Sequence, residues 1–66
     1  LQFLEKALSE LKEEERMILQ MFYYEELNIK EIAESLLIPE GTVKSRLFTA
    51  RNRLSAKIKE LMEARR

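Results

Sequence analysis

The 66-residue sequence contains no cysteine and no histidine, and only one glycine and one proline. Without cysteine there is neither a disulfide framework nor a thiolate metal site. Without histidine the commonest general base and the commonest metal ligand are missing as well. One Gly and one Pro leave little turn material, alternating β-branched runs are absent, and apolar residues recur at helical spacing nearly throughout. These absences predict an all-α chain. No stretch approaches the ~20 apolar residues of a membrane span, and no signal-peptide pattern is seen. The length allows one domain, which buries only about 60% of its unfolded surface. The chain begins with Leu1 rather than Met, as a domain excised from a longer protein would.

Charge of either sign is plentiful, and the zero net charge hides an asymmetry. Residues 1–43 hold ten acids and four bases, a net of −6, whereas residues 44–66 hold eight bases and two acids, a net of +6. Opposite-signed halves point to a polyanionic partner at the C-terminal half. The plainer reading gathers Lys57, Lys59, Arg65 and Arg66 at the end of a helix, where the macrodipole favours cations in a solvated tail.

The spacing predicts four helices. Residues 2–10 carry Phe3, Leu4, Ala7 and Leu8, with Leu11 beyond them. Residues 12–24 open with Glu13, Glu14 and Glu15, which suit a helix N-terminus, and continue through Met17, Ile18, Leu19, Met21, Phe22, Tyr23 and Tyr24. That second helix is apolar on nearly every side, so it is expected to be central or covered by a partner. Asn28 is a fitting N-cap for the third, with Glu31 completing a capping box. Pro39 suits the first position of the fourth, which runs to about residue 64.

Residues 29–54 therefore have the proportions of a helix-turn-helix, with a turn of about three residues before Pro39-Glu40-Gly41-Thr42-Val43. Ile32, Leu36, Val43 and Leu47 are expected to close a small core, with Ala33 small where the paired helices approach. At about 100° per residue, Val43, Leu47, Ala50, Leu54, Ile58 and Leu61 form one stripe facing the domain. The opposite face carries Ser45, Phe48, Thr49 and Asn52. Lys44 and Arg46 flank it, one on each side, and Arg51 and Arg53 lie lower on the same flanks. Hydrogen-bonding and methyl-contacting groups thus face base edges while cations on both shoulders meet phosphates. Thr42 and the amides around Gly41 sit at a helix N-terminus able to take a phosphate. Gly41 either relieves crowding in the turn or leaves room for an approaching backbone. A phenyl ring at Phe48, directed away from the stripe, suits a thymine methyl, a sugar or a partner.

Glu31-Ile32-Ala33, then Ile38-Pro39-Glu40-Gly41-Thr42-Val43-Lys44-Ser45-Arg46-Leu47, then Ala50-Arg51, closely resemble region 4 of extracytoplasmic-function sigma factors. These are bacterial initiation factors that recruit RNA polymerase to stress promoters. The resemblance covers the whole chain, including Ala7-Leu8-x-x-Leu11 and the helix containing Arg16. It implies a winged-helix-like or homeodomain-like four-helix fold without strands that reads the −35 promoter element. By position, Lys44, Ser45, Phe48 and Thr49 would contact bases and groove, and Thr42, Arg46 and Arg51 phosphates, with Asn52 on the same face. The implied partners are promoter DNA, the flap of the polymerase β subunit and an anti-sigma factor. Met21, Tyr23 and Tyr24 would serve such docking or else fill the core. A region 2 domain would precede the chain. No cofactor, metal or small-molecule substrate is implied.

Three positions depart from the family pattern. Lys12 stands where Pro is frequent, Leu37 where Gly is frequent in the turn, and Thr49 where many members carry Arg. Either a left-handed residue at Leu37 is strained or the turn differs. Two other readings share these residues. Response-regulator effector domains have Glu-Ile-Ala and Thr-Val-Lys, but place His where Arg46 stands. A helical interaction module that binds no DNA would also fit the acidic first half. No nucleophile–base pair or phosphate loop can be assembled, so enzymatic activity is not expected.

Overall fold

The structure, a computed structural model, describes residues 2–64. Four helices follow one another: α1 (Gln2–Ser9), α2 (Glu13–Leu19, continued by a π-helical turn over Gln20–Tyr24), α3 (Ile29–Leu36) and α4 (Glu40–Ala64). No strand occurs among the described residues, in agreement with the all-α expectation. Helix α4 is the spine against which the other three pack. Its 25 residues set the long dimension of a molecule measuring 43 × 19 × 16 Å.

Each helix end has an identifiable cause. Helix α1 stops with the Glu10 and Leu11 amides bonded back to the Ala7 and Leu8 carbonyls, each at 3.2 Å. The Arg16 guanidinium reaches back to the same end and donates to the Leu11 carbonyl at 2.8 Å. It also reaches the Leu8 and Ser9 carbonyls of the last helical turn at 3.4 and 3.5 Å, and so opposes the negative end of the dipole. Helix α2 begins with the Glu15 carboxylate accepting from the Lys12 amide at 3.0 Å. Lys12 itself is extended, with φ −66° and ψ 151°, a conformation close to the one proline would impose. The expected Asn28–Glu31 capping box is formed in both directions. The Glu31 amide donates to Asn28 Oδ1 at 2.8 Å, and the Asn28 amide to Glu31 Oε1 at 2.9 Å.

The second helix departs from the uniform α-helix that its sequence predicts. Over Gln20–Tyr24 the ladder widens, and the Glu25 amide bonds to the Gln20 carbonyl at 3.0 Å. The chain then leaves the helix through Glu26 in the left-handed region, φ 56°. Met21 points into the core while Tyr23 and Tyr24 stay exposed. This splits the apolar run between two destinations.

The core consists of Leu11, Ile18, Leu19, Met21, Ile32, Ala33, Val43, Leu47 and Ala50. Every helix from the second onward contributes to it, and Ala7 of α1 is fully buried beside α4. Leu36 and Leu54 pack against its margin. No buried side-chain polar atom among the described residues lacks a partner, which matches the chain's habit of keeping its charges at the rim.

Candidate nucleic-acid interface

The turn between α3 and α4 is made by residues 37–39. Leu37 adopts φ 58° and ψ 45°, and the Ile38 amide closes onto the Ala33 carbonyl at 3.1 Å. This is a Schellman-type termination in which a leucine occupies the position glycine usually takes. Its side chain is 90% exposed, so packing gives no return for a conformation that costs a non-glycine residue about 1–2 kcal/mol. The strain expected at Leu37 is present. Ile38, the next residue, folds back against the core.

Helix α4 starts one residue later than Pro39. The Pro39 carbonyl accepts from the Thr42 and Val43 amides at 3.0 and 3.2 Å, so proline caps the helix instead of occupying its first turn. Gly41 is helical, and a Cβ built on it would meet nothing within 4 Å. Crowding inside the chain therefore gives no reason for a glycine at this position. The open space lies outside, at the positive end of the α4 dipole, beside the half-buried Thr42.

The wheel expected for α4 is the one observed. Val43, Leu47 and Ala50 are buried, and Leu54, Ile58 and Leu61 continue the stripe half-buried. Lys44, Ser45, Arg46, Phe48, Thr49, Arg51 and Asn52 are exposed. They occupy the opposite side of a helix that the core holds rigidly in place. Phe48 presents 70% of its surface to solvent. An aromatic ring standing out among hydroxyls, an amide and cations suits contact with a methyl or sugar surface.

The two shoulders of that face are electrostatically unlike. Lys44 and Arg51 share one flank, and neither pairs with a carboxylate among the described residues. On the other flank, Arg53 Nε donates to Glu15 Oε2 at 2.9 Å, and Arg46 lies 3.9 Å from Glu14. A groove of about 220 Å³ lined by Lys12, Glu14, Glu15, Ser45, Arg46, Thr49 and Arg53 runs between the start of α2 and the face of α4. Cations thus stand on both shoulders, but those of one shoulder face carboxylates. Arg53 is committed to joining α4 to α2, because Glu15 is largely buried beneath it and needs a counter-charge. Sequence spacing alone gave no sign of this, since the partners are 38 positions apart.

One open reading divides and one assignment changes. Met21 belongs to the core and leaves the docking group, whereas Tyr23 and Tyr24 remain on the surface. They border an apolar groove of about 430 Å³ that also involves Leu4, Leu8, Leu19 and Leu54. Lys57 is tied to Glu10, just beyond the end of α1, and to Glu60 of α4, each at 3.6 Å, so it is a brace between elements and no free tail cation. Lys59 is exposed. Arg65 and Arg66 lie outside the described residues.

The sequence matches the family model for sigma-70 region 4 over residues 2–54. Among curated proteins it is similar to the ECF RNA polymerase sigma factor SigL of Mycobacterium tuberculosis, 44% identical over 55 residues. It is also similar to SigM of Bacillus subtilis, 45% identical over 49 residues, and to the sigma factor FliA of Pseudomonas aeruginosa, 38% identical over 58 residues. These alignments cover 83%, 74% and 88% of the chain, and 31%, 30% and 24% of the relatives. The chain spans at most about a third of the length of each of these relatives. The matched segment runs from α1 through the exposed face of α4, the same span that builds the turn, the core and the two shoulders. The chain belongs to the sigma-70 region 4 family, of the extracytoplasmic-function type.

Proposed function

We propose that this chain is the promoter-reading domain of an RNA polymerase sigma factor and recognises the −35 element through the exposed face of α4. One observation carries the reading: a 25-residue helix buries Val43, Leu47 and Ala50 and thereby presents Lys44, Ser45, Phe48 and Thr49 as one rigid face. Lys44 donates to a base acceptor in the major groove, where lysine and arginine pair with guanine. Ser45 and Thr49 supply adaptable hydroxyls, Asn52 extends the polar row, and Phe48 lies against a thymine methyl or sugar. Thr42 and the free amides at the start of α4 take one phosphate. Arg51 takes a second on its own strand and Arg46 a third across the groove.

The apolar groove bordered by Tyr23 and Tyr24 lies on other faces of the molecule from these residues. It is the surface on which the polymerase β-subunit flap docks, and an anti-sigma factor competes there. No helix among the described residues is long and apolar enough to cross a membrane, and the proposed activity belongs in the bacterial cytoplasm, at the nucleoid.

Titration of a labelled duplex bearing a −35 element against a scrambled duplex at several salt concentrations tests the proposal. Two to three phosphate contacts predict a log–log slope between about −2 and −3. The cognate duplex is expected to bind tighter at every salt concentration. A flat salt response, with no preference between duplexes, would refute it.

A further inference from the structure

We propose that Glu14 is an intramolecular competitor for the phosphate that Arg46 engages, an autoinhibitory contact built into the DNA-binding face. The inference rests on the function proposed above and adds to it a residue from outside the helix-turn-helix.

Three observations lead to it. Arg46 stands on the rim of the reading face beside Ser45 and Thr49, yet its guanidinium lies 3.9 Å from the Glu14 carboxylate. The two side chains are 45% and 61% exposed, so water screens the pair and it opens readily. The neighbouring acid behaves in the opposite way. The Glu15 side chain is only 12% exposed and is held twice, by the Lys12 amide at 3.0 Å and by Arg53 at 2.9 Å. Glu15 therefore fixes the first turn of α2 against α4, and that turn carries Glu14 to the edge of the groove. One carboxylate is the anchor and the other is the releasable competitor.

A phosphate approaching Arg46 must displace Glu14 and then lie near a carboxylate left without its partner. In the free chain the Arg46–Glu14 pair contributes almost no net charge to the DNA-facing surface. The attraction to any duplex then rests on the cations that have no carboxylate partner among the described residues, Lys44 and Arg51 on the other flank and Lys12 in the groove itself, together with the α4 N-terminus. Affinity that does not depend on sequence is kept low, and occupancy of DNA depends more on the base contacts.

Glu14→Gln keeps the size of the side chain and removes the competing charge. Exposed ion pairs of this kind correspond to about a two- to fivefold change in an equilibrium. The variant is expected to bind cognate and scrambled duplexes about two- to fivefold more tightly, with a log–log salt slope steeper by about 0.9. Glu13→Gln removes the same charge from the same turn, where the residue is exposed and pairs with no cation among the described residues, and it is the control for net charge. The decisive comparison repeats both substitutions in an Arg46→Ala background. The excess of Glu14→Gln over Glu13→Gln is expected to disappear there. Equal effects of the two substitutions, or weaker binding by Glu14→Gln, would overturn the inference while leaving DNA binding by the chain intact. Failure of every protein in the panel, wild type included, to bind duplex would overturn the proposed function and this inference with it.

Discussion

Arg53 of α4 donates to Glu15 of α2 across 2.9 Å, and the same carboxylate accepts from the Lys12 amide at 3.0 Å. One side chain thus ends a loop, starts a helix and clamps that helix to the reading element. Glu15→Ala removes all three effects. Loss of a cap acceptor and a partly buried ion pair is expected to destabilise the chain by about 1–2 kcal/mol. Urea unfolding followed by circular dichroism measures it, and the midpoint should fall with an unchanged slope.

Leu37 is the reverse case, a residue whose replacement improves the fold. It holds a left-handed conformation with its side chain in solvent. Leu37→Gly relieves about 1–2 kcal/mol of backbone strain and returns part of it through the greater freedom of glycine in the unfolded chain. A net gain of about 0.5–1 kcal/mol is expected in the same unfolding experiment. Duplex affinity should not change, because the turn lies outside the reading face.

Gly41 separates stability from binding. Alanine meets no neighbour there and favours helix over glycine by up to about 1 kcal/mol. Gly41→Ala is expected to raise the melting temperature of the free chain and to weaken duplex binding, since the added methyl enters the space a phosphate backbone needs. Higher stability with undiminished binding would show that the space is not used.

Lys44 and Arg51, the cations of the unpaired shoulder, are expected to fail in different ways. Lys44→Ala costs about 1–3 kcal/mol on the cognate duplex and relaxes preference at one base pair. Arg51→Ala weakens all duplexes alike and reduces the salt slope by about one. Binding measured on a panel of single-base variants distinguishes them. Uniform loss on substituting Lys44 would reassign it to phosphate.

Much of this was legible in the sequence because it is local. The Asn28–Glu31 box, the stripe from Val43 to Ala50 and the strain at Leu37 each depend on residues within one or two turns of each other. So does the exposed row containing Ser45, Phe48 and Thr49. What could not be read is either non-local or a matter of helix phase. The pairs of Arg46 and Arg53 with Glu14 and Glu15 form only once α2 lies on α4, and each contact spans more than 30 positions. The link of Lys57 to Glu10 is of the same kind. The cap that Arg16 gives to α1 depends on how the chain turns at Leu11. Met21 was uncertain because its neighbours are apolar all round, and the π-helical turn that sends it inward has no periodic signature. The family motif between residues 38 and 47 pointed to α4 as the proposed reading helix without revealing that one of its shoulders faces carboxylates.

The central claim is that the exposed face of α4 meets DNA. Amide chemical shifts of the ¹⁵N-labelled chain, followed as a cognate duplex is added, test it most directly. The account predicts that the largest changes fall on Thr42, Lys44, Ser45, Phe48, Thr49, Arg51 and Asn52, with Tyr23 and Tyr24 little affected. Changes centred on Tyr23, Tyr24 and the apolar groove, with the face of α4 unmoved, would contradict it.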